Sequence, residues 1–510
     1  MESRAQKLWD RGIGHFRLGN LEAAQASFEA FLLREPGQAG PARFRLSMIQ
    51  ARRGRFRAAV ELGKLALAGE PDQVELLTHL ARCQLMDGEP EQARRLAMRA
   101  LASAGKGPVV LDSLAVVMTR LDEPVLALEL FNQAIVLEPN QGSMYFNRAL
   151  AHKQFGMLDA ARRDLESCIA LRPSHAKAHW NLAEFMPAGG AQEHTESLSR
   201  LLAQPGLPAS DEELLSLAQF KELDEAGNVP RARIALARGV ASRRRSGRAS
   251  PGGMAATVDA LILSCNRAFP RRSTLGSLEA APLFIFGMPR SGTALLGKLL
   301  SRHPKVHHLG SQQPFSRLLW RRLGRDPMAF PDAATVRQLA SMDFSLIGRE
   351  YLGAVSPPSG ASLLICESQP MNFLMAGFIA RALPGARLLH LVRDPVDNCV
   401  AILGHPGGEA SLPSHDPGAL AESYLQYLRL IRHWHEMLSE RIMDVSYESL
   451  VQRPEMVLRV VCSFLGLRYG SALRAGLQLH GRGIGRGRRY AGEFPALLAT
   501  LSAAEPHLPL

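Results

Sequence analysis

Seven residues, Gly287-Met-Pro-Arg-Ser-Gly-Thr293, have the types and spacing to hold a tetrahedral anion. Glycines bound a turn of the form Gly-x-x-x-x-Gly, and Arg290 places a guanidinium inside it. The apolar run Leu283 to Phe286 ahead of the turn is short enough for a buried parallel strand. Beyond it, Leu295, Leu296, Leu299 and Leu300 fall at helical spacing. Strand, glycine turn and helix together aim backbone N–H groups and the positive end of a helix dipole at an anion. A nucleotide-hydrolysing loop would continue Gly-Lys-Ser/Thr. Here Thr293 and Ala294 follow Gly292, so the lysine that reaches the β- and γ-phosphates is missing. That argues against a P-loop kinase or NTPase, and for a phosphate or sulfate group held without Mg-NTP apparatus.

The elements that must position this turn follow from the pattern of the C-terminal half. Strands are expected at 362–366, 386–392 and 442–446, with helices at 373–383, at 417–438 and around Val457, Val460, Val461 and Phe464. Alternation of this kind predicts a parallel α/β sheet with helices on both faces. Ligands of such sheets sit beyond the carboxyl ends of the strands. The 287–293 turn falls there, and so does Arg393, whose guanidinium suits bidentate phosphate recognition. Taken alone, Arg393 reads equally as a strand-end ion pair with Asp394, and Tyr447 as core packing.

The string Gly-Met-Pro-Arg-Ser-Gly-Thr after an apolar strand resembles the 5′-phosphosulfate loop of sulfotransferases that use 3′-phosphoadenosine 5′-phosphosulfate (PAPS). Over residues 282–500 the chain resembles the bacterial sulfotransferases linked to tetratricopeptide repeats (TPR) and related to tyrosylprotein sulfotransferases. The matching positions are His303-Pro304, Pro370-Met-Asn-Phe373, Arg393-Asp394-Pro395, Tyr447-Glu448-x-Leu450 and Phe464-Leu-Gly-Leu467. The resemblance implies that Gly287, Arg290, Ser291, Gly292 and Thr293 bind the 5′-phosphosulfate. It also implies that Arg393 binds the 3′-phosphate, that Tyr447 lies near the adenine, and that Arg290 stabilises charge during transfer. It implies a PAPS-type sulfuryl donor, no metal, and a hydroxyl acceptor, with protein tyrosine one such acceptor.

The pattern also breaks. A hydroxyl acceptor benefits from a general base, yet Gly310-Ser311 stands where the family has Gly-Glu. Glu367-Ser368 stands where it has Asp-Lys. Ala294, Ala401 and Gly487 replace a threonine, a serine and a tryptophan. Candidates for substitution are His307, His308 and Glu367, and Arg486, Arg488 or Arg489 in the tail. Two readings therefore stand: an active enzyme with rewired groups, and a catalytically silent sulfotransferase-like TPR scaffold.

The N-terminal third repeats itself with a period of about 34 residues. Small residues recur at Gly12, Ser47, Ala81, Ala115, Ala149 and Ala183, and again at Ala24, Ala59, Ala93, Ala127 and Ala161. Turn residues recur at Gly19, Gly54, Gly88, Asp122 and Gly156. Prolines (Pro36, Pro71, Pro139, Pro173) close most units. This is the tetratricopeptide pattern of paired helices, with about five units over 5–173 and a sixth begun at 174–186. Such an array presents a surface to a peptide or protein partner, or packs on its neighbour or on a second copy. The expected organisation is a TPR α-solenoid at 1–186. A degenerate helical repeat with an Arg/Gly/Ser/Pro-rich linker follows at 187–274, the stretch 241–253 being exposed, and a P-loop-like α/β domain spans 275–510.

A formal charge of +12 favours anionic ligands. No zinc finger, RNA-recognition motif or basic-aromatic stripe points to nucleic acid. The six cysteines are scattered without a Cys-x-x-Cys pair, as in reduced cytoplasmic proteins. No signal peptide or apolar stretch long enough to span a bilayer is expected.

Overall fold

A computed structural model describes residues 3–103, 106–185, 192–247, 253–266, 281–310, 313–324, 330–355, 363–406, 412–474 and 483–503. The chain divides into two compact units, Met1–Met186 and Pro187–Leu510.

The first unit is a run of antiparallel helix pairs, from Arg4–Arg17 with Leu21–Arg34 to Gly142–Gln154 with Leu158–Leu171, closed by Ala176–Ala183. The repeat positions explain themselves in the backbone. Gly19, Gly54, Gly88 and Gly156 turn between paired helices with φ between 77° and 86°, and Asp122 does the same at 61°. Left-handed φ is open to glycine, and Asp tolerates it better than most residues. Ala24, Ala59, Ala93, Ala127 and Ala161 are all fully buried. Small side chains there let the helices close on each other.

The second unit is built on a five-stranded parallel sheet: β1 Leu283–Gly287, β2 Val306–His308, β3 Leu364–Glu367, β4 Arg387–Val392 and β5 Ile442–Ser446, in the order β2-β3-β1-β4-β5. β1 is central and every residue of it is buried, as expected of an apolar run covered on both faces. Leu283 and Ile285 share a core with Leu296, Leu299 and Leu300 of the helix Thr293–Leu300. Strand order reverses at β1, so the turn after it lies at the switch point of the sheet. The long helix spans Pro417–Leu438, started by Asp416, whose carboxylate accepts from the N–H groups of Gly418 and Ala419. The helix expected at 373–383 is a 3₁₀ turn, Pro370–Leu374, followed by a helix at Ala376–Ala382. Edge strand β2 and the helices Pro314–Leu323, Ala333–Ala340 and Phe344–Val355 had no clear sequence pattern.

The region expected to be linker is more ordered than its composition suggests. Helices occupy Gln192–Leu202, Ala209–Glu225, Val229–Arg245 and Met254–Ser264. The start of the expected exposed run 241–253 is the last turn of a helix, and Arg243 is only 2% exposed. Its Nε donates to Glu213 Oε1 at 2.8 Å, and its Nη groups donate to the carbonyls of Ser414, Leu403 and His405 at 3.0, 3.2 and 2.6 Å. All six cysteines are buried and unbridged. Burial pushes the Cys83 and Cys265 thiols up to about 12, which keeps them unreactive. Among the described residues no helix is long and apolar enough to cross a membrane.

Candidate active site

The turn after β1 is held by three side chains that reach three successive backbone groups. Tyr427 accepts the N–H of Met288. Asn398 Nδ2 donates to the carbonyl of Pro289 at 3.0 Å. Arg393 Nη1 donates to the carbonyl of Arg290 at 2.8 Å. Arg290 is thereby kept at φ 68°, an uncommon conformation for a non-glycine residue. Gly287 lies so close to β4 that a Cβ on it would sit 2.6 Å from the Leu391 carbonyl oxygen.

Arg393 is 8% exposed. It does not pair with Asp394, whose carboxylate instead caps the helix Pro395–Leu403 by accepting the N–H of Asp397 at 2.8 Å. The second Nη of Arg393 donates to the Gly483 carbonyl at 3.0 Å, and its guanidinium lies over the Tyr447 ring, 4.6 Å from the centroid. Tyr447 in turn packs on Gly292. The turn, Arg393 and Tyr447 therefore meet at the carboxyl ends of β1, β4 and β5. Beyond Arg393 opens a cleft of about 1270 Å³, lined by Arg393, Tyr424, Glu448 and Arg488 among others.

Among the described residues, two buried donors here have no hydrogen-bond partner, Ser291 Oγ and Arg393 Nε, and the acceptor Asn398 Oδ1 has none either. Burying such atoms unsatisfied is costly, and an anion would satisfy both donors. The first N–H groups of the helix Thr293–Leu300 also lack intrahelical acceptors. Gly287, Arg290, Ser291, Gly292 and Thr293 thus lie on one turn whose buried Ser291 hydroxyl and helix N–H groups a phosphosulfate fits.

Gly292, at φ 107°, is the tightest point. A Cβ there would stand 2.7 Å from Tyr447 Cδ2. Gly292→Ala is expected to lower Tm by several degrees, since the backbone conformation alone costs about 1–3 kcal/mol. Adding Tyr447→Ala should recover only the part due to the ring. Thermal melting of both variants checks this, and an unchanged Tm in the single variant would contradict it.

The positions where the family pattern breaks have definite surroundings. Ser311 lies outside the described residues. Ser368, at the end of β3, bonds through Oγ to His308 Nε2 at 2.7 Å, and both are half-buried. The pair rests on the second turn of the loop helix, where a Cβ on Gly297 would come within 2.7 Å of His308 Nε2. Burial, with a smaller push from His307, holds the His308 imidazole below its usual range. His307 is exposed. His303, of the His-Pro pair, is a structural residue. Its Nδ1 accepts the Lys305 N–H at 3.1 Å, and its Nε2 meets the Arg468 carbonyl at 3.2 Å.

Glu367 is no open base. It is fully buried, accepting from Asn372 Nδ2 at 3.0 Å and from the Tyr351 hydroxyl at 3.4 Å. Burial pushes its carboxyl up to about 7. A carboxyl raised in the fold binds its proton more tightly folded than unfolded, so stability falls as pH rises from its ordinary 4.5 towards 7. Glu367→Gln is expected to raise Tm at pH 8 and to make little difference at pH 4, as melts at the two pH values would show.

In the tail, the Asp397 carboxylate accepts the N–H groups of Gly485 and Gly487, both at 2.6 Å. A Cβ on Gly487 would strike the Asp397 backbone at 2.6 Å, so a tryptophan has no room there. Arg486 pairs with Asp224 at 2.6 Å and Arg489 lies 3.9 Å from the same carboxylate, while Arg488 lines the cleft. Sequence reasoning missed Asn398 and Tyr427, which tether the turn. Asn398 had a faint signal, standing one helical turn after Asp394.

Residues 282–471 match the sulfotransferase family, and residues 10–73, 50–116 and 142–175 match tetratricopeptide repeats. An uncharacterized protein of Aquifex aeolicus (strain VF5) is 26% identical over 204 residues, covering 38% of this chain and 26% of that protein. A protein-tyrosine sulfotransferase of Drosophila melanogaster is 24% identical over 204 residues, 38% of this chain and 40% of its own length. Protein-tyrosine sulfotransferase 2 of Gallus gallus is 23% identical over 206 residues, 39% of this chain and 54% of its own length. The chain thus spans between about a quarter and a half of these relatives. With the fold and the turn after β1, these matches identify a domain of the sulfotransferase family carried behind tetratricopeptide repeats.

Proposed function

We propose that this chain transfers a sulfuryl group from PAPS to a hydroxyl acceptor, with the repeats binding a protein partner or the substrate itself. Protein tyrosine is the acceptor class that the relatives' names suggest. The observation that carries the reading is the meeting of the 287–293 turn, Arg393 and Tyr447 around two buried donors, Ser291 Oγ and Arg393 Nε, that have no partner among the described residues. When bound, the donor supplies the activated sulfuryl group. The helix N–H groups, Ser291 and Thr293 hold its 5′ end, and Arg290 compensates charge there. Arg393 offers Nε to the 3′-phosphate, and Tyr447 lies by the adenine. His308 Nε2, kept neutral by burial, takes the proton of the Ser368 hydroxyl bonded to it as Ser368 Oγ takes the proton of the acceptor hydroxyl. The six buried, unbridged cysteines support a cytoplasmic setting.

A silent scaffold is the second reading, favoured by Ser368 and Ala294 standing where the family has a lysine and a threonine. Calorimetry with 3′,5′-ADP, followed by transfer of radiolabelled sulfate to peptide and carbohydrate hydroxyls, separates the two. Micromolar binding with transfer is expected. Binding without transfer to any acceptor would favour the scaffold, and no binding at millimolar ligand would sink the enzyme reading.

A further inference from the structure

Away from the turn, three side chains from three elements converge on one point. His390 and Asp444 are direct register partners across β4 and β5. His435 reaches them from the last turn of the helix Pro417–Leu438. Asp444 Oδ1 lies 2.8 Å from His390 Nδ1 and 2.9 Å from His435 Nε2, and all three donor atoms fall within 4.8 Å of one another. We propose that His390, Asp444 and His435 form a binding site for a divalent transition-metal ion of the zinc type.

The donor set suits such an ion. Imidazole and carboxylate together favour zinc and its neighbours over the all-oxygen cages preferred by magnesium or calcium. Metal–ligand bonds of about 2.0–2.2 Å in tetrahedral geometry place donors roughly 3.4 Å apart, so the two separations from Asp444 Oδ1, 2.8 and 2.9 Å, need to open by only about 0.5 Å. Strands and a long helix, rather than loops, fix the donors, which favours a site formed in advance. The far nitrogen of His390, Nε2, is held by the Tyr427 hydroxyl. Metal-bound histidines are commonly oriented by such a bond on the second nitrogen. His390 is 1% exposed at its side chain, but His435 and Asp444 are 36% and 41% exposed, which leaves a route in and a fourth position for water. Asp444 also lines the cleft beyond Arg393. No short motif joins positions 390, 435 and 444, so the sequence offered no spacing from which to expect a metal.

The test is zinc titration of the full chain after chelator treatment, read by calorimetry and by metal analysis after gel filtration. One Zn²⁺ per chain is expected, with stoichiometric uptake lost in Asp444→Ala and in His435→Ala. Tyr427→Phe should weaken affinity by about 10–100-fold, the usual effect of removing an orienting partner. Cobalt substitution supplies a check that needs no variant: its visible bands should lack thiolate charge transfer, because no cysteine is a ligand. Absence of stoichiometric uptake, uptake surviving in either ligand variant, or thiolate bands would each overturn the proposal. None of these readouts depends on sulfuryl transfer.

Discussion

Replacing His308 by alanine is expected to lower kcat for sulfuryl transfer by roughly 10²–10⁴-fold, the range set by loss of a general base, while 3′,5′-ADP affinity stays unchanged. His308 ends β2, and its Nε2 is directed to Ser368 Oγ at 2.7 Å, beside the helix that carries the anion-binding turn. Burial lowers its pKa, so the ring remains able to accept a proton below the ordinary imidazole value of about 6.5. The acid limb of the kcat profile should therefore lie below that value, and it should disappear in His308→Ala. A variant with full kcat would remove His308 from the chemistry without touching the nucleotide reading. Loss of both kcat and 3′,5′-ADP binding would instead mean that the β2 edge supports the turn.

Arg393→Ala should weaken 3′,5′-ADP binding by about 10–100-fold or more. A charge-assisted contact accounts for about 1.5–3 kcal/mol, and each 1.4 kcal/mol is tenfold in affinity. The guanidinium also links the Arg290 and Gly483 carbonyls, at 2.8 and 3.0 Å, so its removal frees the turn as well as the ligand contact. Lysine keeps the charge but cannot bridge two carbonyls while offering a third donor in the same plane. Arg393→Lys should accordingly recover only part of the affinity. Calorimetry of the three proteins decides the matter, and equal affinities would remove Arg393 from the site.

Much of this was legible in the residues because short-range physics dictated it. Gly19, Gly54, Gly88 and Gly156 recur because a tight helix–helix turn demands left-handed φ, and a demand made on one residue leaves a mark at one position. β1 announced itself by being apolar throughout, as a strand covered on both faces must be. The site was legible where backbone geometry made it, in Gly287 to Thr293, and where a charge stood at a strand end, in Arg393. What escaped depends on contacts between distant positions. Asn398 and Tyr427 look like ordinary helix residues until the fold brings them onto Pro289 and Met288. Ser368 reads as a loss until His308, sixty positions earlier, is seen bonded to it. Arg243 sat in a run of arginines whose composition suggested solvent, and composition says nothing of the carbonyls awaiting one of them.

That arginine bears on where this protein can be cut. Arg243 and Glu213 lie well before residue 282, where the family match begins, yet the carbonyls of Leu403, His405 and Ser414 depend on Arg243. Asp224 similarly receives Arg486 and the Tyr490 hydroxyl from the tail. A fragment beginning at 282 would keep the whole stretch that matches the sulfotransferase family and lose both fastenings. A fragment meant to keep both fastenings must therefore begin before Ala209, so the unit that folds is larger than the unit that is recognised.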